Sequence, residues 1–424
     1  MQVFKFGGAS VKDAESVRNV GRILAKYNSD NILVVVSAMG KITNLLEELV
    51  SAYVDGAETL DQMRRLKSFH REIISELIGE NSDTFYEVEN LFVELECTLD
   101  KDLSAQPFDY VYDQIVPFGE LISTRIISHF LNQIGVKNRW LDARNFVITT
   151  SKHRRASVLW DTTCDLIANR AQRLIEKQLT ITQGFIGRSK DNATTTLGRE
   201  GSDYSAAIFA YGLNADSVTI WKDVPGVMNG DPKIVLNAQL MPQISFKEAI
   251  ELAYYGASVI HPKTIQPLMR KGIPLYVKSF VNDDQPGTKV LDLGEHSAID
   301  LPCYIFKENQ VLISLSSKDF SFIVEDNLSH IFNAFANAGL QINLMQNTAI
   351  SFSVCVNNDE RRISKLLDLV REAYEISVDQ NLSLLTVFNA SALKGYKEYT
   401  LGKQLVLEQK SGKAIHFVLK PDHE

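Results

Sequence analysis

Residues 32–38, ILVVVSA, are the stretch that most constrains the fold of this chain. The run is apolar and rich in β-branched residues, which indicates a strand buried on both faces, as in parallel sheets. A shorter strand is predicted at 2–6, and apolar residues recur at helical spacing between Ser10, the expected N-cap, and Tyr27. Strand, Gly-Gly turn, helix and buried strand in this order predict a βαβ unit of an α/β fold.

The pattern along the chain predicts three regions. After a mostly helical stretch at 43–104, strand and helix patterns alternate, so we expect one large α/β domain over 1–290. Over 303–380 the predicted order is βαββαβ, which is typical of a ferredoxin-like module. Residues 381–424 are rich in strand patterns and too short for a complete second module, so we expect a partial or divergent copy.

Composition excludes several classes of protein. A net charge of −8 argues against a nucleic-acid binder held by phosphate contacts. No apolar run approaches the ~18–20 residues that a membrane span needs, and no secretory signal is visible. The four cysteines are far apart, which favours a cytoplasmic protein with reduced thiols. The densest basic run, KHRR at 152–155, is expected to be a solvated loop.

A lysine and two glycines at the first strand–helix junction form a candidate phosphate site. A helix N-terminus presents free N–H groups and a positive dipole end, and Gly7 and Gly8 let an oxygen-rich ligand approach the backbone. Lys5 would place a cation beside the same anion. On this motif alone a plain turn with an exposed lysine remains the alternative, because neither GxGxxG nor GxxxxGK[ST] is present.

Three further stretches carry candidate functional residues. In GREGSDYSAA at 198–207, Arg199 precedes a predicted helix and suits bidentate pairing with a carboxylate. In WKDVPGVMNGDPK at 221–233, Lys222 and Lys233 flank a loop that follows a strand, where ligands of α/β sheets bind. Glu120 opens a helix, where a carboxylate suits the dipole. A capped helix, a surface loop and a solvated carboxylate remain the simpler alternatives.

Taken in order, these stretches resemble the aspartate kinases of the amino-acid kinase family. The resemblance covers residues 1 to about 290. The segments that match are KFGGAS at 5–10, VVSAMGKITNLL at 35–46, FGE at 118–120, TQGFIG at 182–187, GREGSDYSAA, WKDVPGVMNGDP and GASVIHPKT at 256–264. The C-terminal βαββαβ module is similar to the ACT domains that these enzymes carry.

The resemblance implies a three-layer αβα domain with a mostly parallel sheet, followed by ACT-type modules. It implies transfer of the γ-phosphate of ATP, with Mg²⁺, to the β-carboxylate of L-aspartate, the first step toward lysine, threonine and methionine. The implied catalytic residues are Lys5, Gly8 and Asp203. The residues implied for aspartate are Ser37, Thr43, Glu120, Phe185, Arg199 and Ser202. Those implied for ATP are Lys5, Gly7, Gly8, Ser10, Lys222, Asp223, Met228, Lys233 and Ser258, with no direct metal ligand.

The residue types agree with this chemistry. A carboxylate nucleophile is already ionised at neutral pH, so catalysis should depend on positioning and charge stabilisation rather than on a strong base. Glu120 can hold the α-ammonium of aspartate and Arg199 its α-carboxylate, and Lys5 can offset charge on the phosphoryl oxygens. Asp203 is expected to orient the cations.

Departures from the family pattern leave alternatives open. Ser258 stands where many relatives have a lysine, and we hypothesise that Lys222 supplies that charge. Relatives also imply a homodimer through the ACT region and lysine or threonine as an effector, although QNTAIS at 346–351 differs from their effector segment. The competing interpretations are another amino-acid kinase and a catalytically inactive, ACT-containing amino-acid sensor.

Overall fold

The computed structural model describes residues 1–27, 31–79, 83–103, 105–257, 260–294, 299–318, 321–390 and 399–421. The chain forms two compact units. The first unit comprises Met1–Val227, Leu240–Ile250 and Val259–Ala298, and the second comprises Met228–Gln239, Glu251–Ser258 and Ile299–Glu424. No helix among these described residues is both long and apolar enough to cross a membrane.

Up to residue 291 the described chain contains both helices and strands, with five helices in succession between the second and third strands. The helices are α1 (Ala14–Ala25), α2 (Ile42–Val54), α3 (Leu60–Leu77), α4 (Asp83–Leu99), α5 (Phe108–Ile115), α6 (Phe118–Gln133), α7 (Trp160–Leu166), α8 (Gln172–Ile175), α9 (Gly201–Leu213), α10 (Phe246–Tyr255) and α11 (Pro262–Lys271). The strands are β1 (Gln2–Phe6), β2 (Ile32–Val36), β3 (Asn138–Leu141), β4 (Ile148–Thr149), β5 (Leu179–Gln183), β6 (Ile186–Ser189), β7 (Thr194–Thr196), β8 (Ser217–Lys222), β9 (Gln243–Ser245), β10 (Leu275–Ser279) and β11 (Thr288–Leu291).

One sheet organises the first unit, in the order β3-β5-β2-β1-β8-β10-β11-β9. Neighbouring strands from β3 to β10 run parallel, and only the β10–β11 pair among these neighbours is antiparallel. Every residue of β2 is buried, as its unbroken apolar run predicts. The predicted α/β fold with a mostly parallel sheet is therefore confirmed, and β4, β6 and β7 form a small separate sheet.

The turn after β1 differs from the prediction in one detail. Gly8–Val11 form a short 3-10 turn of their own, so α1 begins only at Ala14. Asp13 is its N-cap and accepts the N–H of Ser16 at 2.8 Å, and the expected cap at Ser10 is wrong. Gly7 and Gly8 therefore lie in the turn between β1 and α1, and the side-chain cap of α1 lies outside that turn.

The second unit contains β12 (Cys303–Ser317), α12 (Glu325–Ala338), β13 (Ile342–Asn347), β14 (Ser351–Asn357), α13 (Glu360–Val370), β15 (Tyr374–Phe388), β16 (Lys403–Ser411) and β17 (Ala414–Pro421). The order up to β15 is the predicted βαββαβ. All six strands join one antiparallel sheet, in the order β13-β14-β12-β15-β17-β16. Buried apolar side chains of α12, α13 and this sheet form a core, with Phe335, Phe352 and Leu366 at its centre.

The predicted domain bounds 1–290, 303–380 and 381–424 stay predictions. Strand β15 continues without a break across residues 380 and 381. The segment Met228–Gln239 is part of the second unit, where Val235 packs with Tyr304 and Phe417, and Asn229 accepts the Tyr304 N–H at 2.7 Å.

A buried histidine makes the helical part of the first unit sensitive to acid. His70 in α3 is fully buried, with its ring edge against Phe92 of α4. Its Nδ1 lies 2.8 Å from the Leu66 carbonyl oxygen, so Nδ1 carries the proton. Nε2 has no hydrogen-bond partner within the described ranges. Burial lowers the pKa of His70 to about 4, because a charged ring would lie in apolar surroundings.

We expect acid to destabilise the first unit through His70. Its folded pKa lies below its ordinary value of 6.5, so the stability is present above pH 6.5 and is lost as the pH falls toward 4. The loss should reach about 3 kcal/mol of unfolding free energy. Urea unfolding of wild type and His70→Leu between pH 4 and 7 measures it. A slope in His70→Leu equal to that of wild type would contradict the prediction.

Candidate active site

The predicted site residues of the first unit follow the carboxyl ends of four parallel strands. Phe6 of β1 lies opposite Val36 of β2 and Trp221 of β8, and Val36 lies opposite Gln183 of β5. Gly7, Ser37 and Gly184 come directly after three of these strands, and Lys222 ends the fourth. Ligands of open α/β sheets bind at this edge, so the sheet brings the candidate residues together.

A buried ion pair occupies the centre of this edge. Lys5 Nζ lies 2.6 Å from Asp203 Oδ1, and their side chains are only 10% and 4% exposed. The other oxygen, Oδ2, lies 3.9 Å from Lys222 Nζ. Asp203 stands in the first turn of α9, where a carboxylate suits the helix dipole. One carboxylate therefore holds two lysines from neighbouring strands.

Two glycines let the start of α9 pack closely against the segment that follows β5. A Cβ on Gly184 would lie 2.5 Å from that of Ser202, and one on Gly201 would lie 2.6 Å from the Phe185 ring. Phe185 itself has a φ of 68°, and its N–H donates to Ser205 Oγ at 2.9 Å. The close approach places Phe185 near Ser202, and their assignment to an aspartate pocket stays a prediction.

The Gly-Gly turn packs on the loop after β2. The Gly40 N–H donates to the Gly8 carbonyl at 3.1 Å. A Cβ on Gly8 would lie 2.9 Å from the Gly40 carbonyl oxygen and 3.0 Å from that of Ala38, so only glycine fits. Lys5 Nζ lies 3.2 Å from where a Cβ of Gly7 would stand. The lysine ammonium therefore lies directly beside the half-exposed glycine backbone.

Glu120 provides a buried acceptor with spare capacity. It lies in the first turn of α6 and is 2% exposed. Its Oε1 accepts the Ala38 N–H at 3.1 Å, and its Oε2 has no hydrogen-bond partner among the described residues. Burial raises the pKa of Glu120 to about 8, although the Ala38 N–H and the nearby Lys5 charge counteract the shift. A bound cation at Oε2 would satisfy this carboxylate.

The other predicted residues of the first unit differ in exposure. Ser37 is half-buried, and its carbonyl accepts the Ser123 hydroxyl at 2.7 Å. Thr43 lies half-buried in the first turn of α2, and Arg199 and Asp223 are exposed. Ser10 is buried, and its hydroxyl donates to the Trp221 carbonyl at 3.4 Å. The Ser10 N–H also donates to the Gly7 carbonyl at 2.9 Å, so both donors of Ser10 have partners inside the protein, and its phosphate contact stays a prediction.

Three residues predicted for ATP fall outside this group. Met228 and Lys233 belong to the second unit, where Met228 is half-buried and Lys233 is exposed. Ser258 lies outside the described residues. Their nucleotide contacts, like the individual roles of the residues above, stay predictions.

Comparison with known proteins agrees with the geometry. Residues 1–279 match the model of the amino acid kinase family. The chain is 32% identical to the lysine-sensitive aspartokinase 3 of Escherichia coli, over 91% of this chain and 86% of that protein. The chain belongs to the amino acid kinase family and, within it, to the aspartokinases. It is also 31% identical to the chloroplastic aspartokinase 2 of Arabidopsis thaliana, over 89% of this chain and 71% of that one.

A solved structure extends the similarity over both units. The E. coli aspartokinase III, solved in complex with aspartate and ADP, matches with a TM-score of 0.82 and 28% identity, covering 99% of this chain and 96% of that one. Some aspartokinases are longer than this chain. It spans 63% of the chloroplastic aspartokinase 1 of Arabidopsis thaliana and 42% of a bifunctional aspartokinase/homoserine dehydrogenase 2 from the same plant.

Sequence reasoning did not single out several groups that shape this aspartokinase site. The Ala38 N–H on Glu120 is a backbone group and leaves no residue-type signal. Gly40 and Gly184 lie inside the segments VVSAMGKITNLL and TQGFIG, shortly after a predicted strand. That position is the sequence signal that could have identified them. Asp113, a fully buried carboxylate in α5, has no motif around it.

We expect the Lys5–Asp203 pair to contribute to stability as well as to the site. Lys5→Met keeps an apolar stem but leaves the buried Asp203 carboxylate without its nearest cation, which should cost about 3 kcal/mol of unfolding free energy. The double variant Lys5→Met/Asp203→Asn should recover much of this loss, because a neutral amide carries a smaller desolvation penalty. Urea unfolding of both variants measures the difference.

Lys222→Met is the matched control for this prediction. Its ammonium is more distant from Asp203 and more exposed, so the stability loss should be clearly smaller than for Lys5→Met. Equal losses in the two single variants, or a double variant no more stable than Lys5→Met, would contradict the expectation.

Proposed function

We propose that this chain transfers the γ-phosphate of ATP to the β-carboxylate of L-aspartate, giving 4-phospho-L-aspartate and ADP. The observation that carries the proposal is the Glu120 carboxylate. This carboxylate is buried, and its Oε2 has no hydrogen-bond partner within the described residues. The positive charge of Lys5 at the same sheet edge lowers its pKa against the effect of burial. The buried carboxylate suits the ammonium group of an amino acid, and the glycine turn beside Lys5 suits a phosphoryl group. Together they suit an amino acid that receives a phosphoryl group.

The aspartate end of the site uses opposite charges at two positions. Glu120 binds the α-ammonium through its free oxygen, and Arg199, exposed before α9, binds the α-carboxylate bidentately. This arrangement directs the β-carboxylate toward Lys5. The remaining wall of the pocket is assigned to Ser37, Thr43, Phe185 and Ser202.

The reaction requires positioning more than proton transfer. An oxygen of the ionised β-carboxylate attacks the γ-phosphorus, the bond from that phosphorus to the β–γ bridging oxygen breaks, and ADP leaves with the electron pair. Lys5 and the N–H groups of the Gly7–Gly8 turn face the charge that develops on the phosphoryl oxygens. Asp203 keeps the Lys5 ammonium in place, since the two groups are 2.6 Å apart.

The nucleotide end is assigned by the same proposal. Lys222, held 3.9 Å from Asp203, supplies a second cation for the phosphates. Asp223, which follows β8, is proposed to add a further nucleotide contact, and the nucleotide roles of Met228 and Lys233 stay predictions. No group of three or more His, Cys, Asp or Glu side chains that could hold a metal occurs in the described part of the chain. Mg²⁺ is proposed to enter bound to the phosphate oxygens of ATP, where it would neutralise charge.

The second unit is proposed to be an ACT-type regulatory region through which two chains associate. Phe322 and Val324 are 69% and 48% exposed, and Met345 and Ile350 are 49% and 42% exposed. A hydrogen bond from the Ile323 N–H to the Ala349 carbonyl, at 2.9 Å, brings the two segments together, and their exposed apolar side chains suit a partner surface. Lysine or threonine is the proposed effector. A solved relative, E. coli aspartokinase III, has been crystallised with lysine and aspartate.

We also propose the metabolic setting. The product would supply lysine, threonine and methionine synthesis, and the chain would act in the cytoplasm.

Aspartate-dependent release of ADP tests the proposed function. With MgATP, we expect turnover with L-aspartate and none with L-glutamate or N-acetylglutamate. Lys5→Met should lower kcat at least a hundredfold, because the phosphoryl charge loses its nearest cation. Circular dichroism first checks that the variant is folded. Adding lysine or threonine to the same assay tests the effector. Absence of ADP release with every acceptor would favour the sensor interpretation.

The pH dependence of aspartate use tests the role of Glu120. Only its carboxylate form binds an ammonium, and its pKa is raised to about 8, so kcat/KM for aspartate should fall as the pH drops below 8. The expected limiting slope is about tenfold per pH unit. Glu120→Gln should have a low kcat/KM with this limb absent.

Measuring kcat/KM for ATP over the same pH range is the control, because ATP titrates near neutrality by itself. If Glu120→Gln keeps the wild-type limb for aspartate, the ammonium role assigned to Glu120 is wrong.

A further inference from the structure

Asp113 is a fully buried carboxylate of the first unit that the proposed chemistry does not use. It lies in α5, and three donors from two other segments converge on it. The Thr196 hydroxyl donates to Oδ1 at 2.6 Å, the Arg154 N–H donates to Oδ2 at 3.0 Å, and His153 Nδ1 lies 2.8 Å from Oδ2. These contacts satisfy a group whose burial would otherwise be costly.

The contacts of Asp113 extend toward Arg199. Thr196 ends β7 and stands three residues before Arg199. Its carbonyl accepts the Ala156 N–H at 3.1 Å, which joins it to the loop of His153 and Arg154. Gly198 packs on the same loop, because a Cβ there would lie 3.1 Å from the Arg154 carbonyl oxygen. The segment leading into Arg199 is thus held on a loop that Asp113 anchors.

Lys152, Arg154 and Arg155 of the basic run KHRR at 152–155 are exposed, as expected of a solvated loop, and His153 is the exception. The His153 side chain is 14% exposed and stacks edge-on against Tyr110 of α5. The Arg154 backbone has a φ of 60°, an uncommon conformation for this residue type that the hydrogen bond to Asp113 helps to hold. Sequence composition alone carried no sign of this packing.

On its other side, Asp113 is rigidly joined to Glu120. Helix α5 ends at Ile115 and α6 begins at Phe118, with Val116 and Pro117 between them. The backbone hydrogen bonds continue through this junction, from Val116 to Tyr112 at 2.9 Å and from Gly119 to Val116 at 3.1 Å. A displacement of Asp113 would therefore be passed to the first turn of α6.

We propose that Asp113 is a positioning residue that sets the distance between Glu120 and Arg199. It joins the helix pair that carries the acceptor for the α-ammonium to the strand end that carries the donor for the α-carboxylate. Asp113 itself touches no substrate. The inference rests on the proposed function, because it concerns the two groups that would hold aspartate by its backbone atoms.

This role predicts an effect on aspartate binding alone. Asp113→Asn keeps the size of the side chain, but its amide nitrogen cannot accept a hydrogen bond, so one of the donors loses its partner. We expect KM for aspartate to rise at least tenfold, with KM for ATP within twofold of wild type. A change in the spacing between Glu120 and Arg199 should leave the binding of ATP unchanged.

Matched variants separate positioning from a general loss of structure. Thr196→Val removes the hydroxyl donor and should also raise KM for aspartate, whereas Thr196→Ser keeps the donor and should stay near wild type. If Asp113→Asn does not fold, this pair carries the test. Asp109→Asn is the control in the same helix, because Asp109 is exposed and contacts only the Arg154 guanidinium, at 3.2 Å, among the hydrogen bonds of the described residues. It should leave all kinetic constants unchanged.

A double-variant cycle tests whether Asp113 influences aspartate binding through Arg199. In an Arg199→Ala background, Asp113→Asn should raise KM for aspartate less than twofold further, because the group that it positions is already absent. Full additivity, a fall in kcat without a change in KM for aspartate, or wild-type KM in both Asp113→Asn and Thr196→Val would overturn the inference. If wild type neither turns over nor binds aspartate, the proposed function fails and this inference fails with it.

Discussion

The ion pair between Lys5 and Asp203 is the interaction on which the site of this aspartokinase depends. Two charges are buried together at the end of a parallel sheet, so each is stable only beside the other. The pair joins the central strand β1 to the first turn of α9, and Asp203 adds Lys222 from β8. The same contact that stabilises the buried charges therefore presents the ammonium groups to a ligand.

Around this pair, the precision of the site comes from close backbone packing. Gly8, Gly184 and Gly201 each stand where a Cβ would overlap a neighbouring segment. Their absence of side chains lets the loop after β1 approach the loop after β2, and the segment after β5 approach the start of α9, more closely than ordinary residues allow. Glu120 is buried beside these loops, and its burial raises its pKa.

Much of the architecture could be predicted because local patterns and physical constraints agreed. The buried run at 32–38 indicated a parallel sheet, and the alternation after residue 303 indicated βαββαβ, since strand and helix periods differ and each leaves its own spacing. Lys5, Glu120 and Asp203 were identified from quoted motifs and lie at one sheet edge. The N-cap at Ser10 was predicted wrongly, because two helix starts compete within a few residues and Asp13 makes the actual cap.

Periodicity and ordered local motifs are enough to specify the fold class and the family of this chain, because both are properties of short stretches of sequence. Only the tertiary structure decided which charges are buried together and which acceptors lack a partner. The local motif places Lys5 beside a Gly-Gly turn. In the folded chain its ammonium forms a buried ion pair with Asp203, which is 198 positions away. Asp113 and the loop at 152–155 carried no local signal, since burial and hydrogen-bond partners arise from segments that are distant along the chain and meet only after folding.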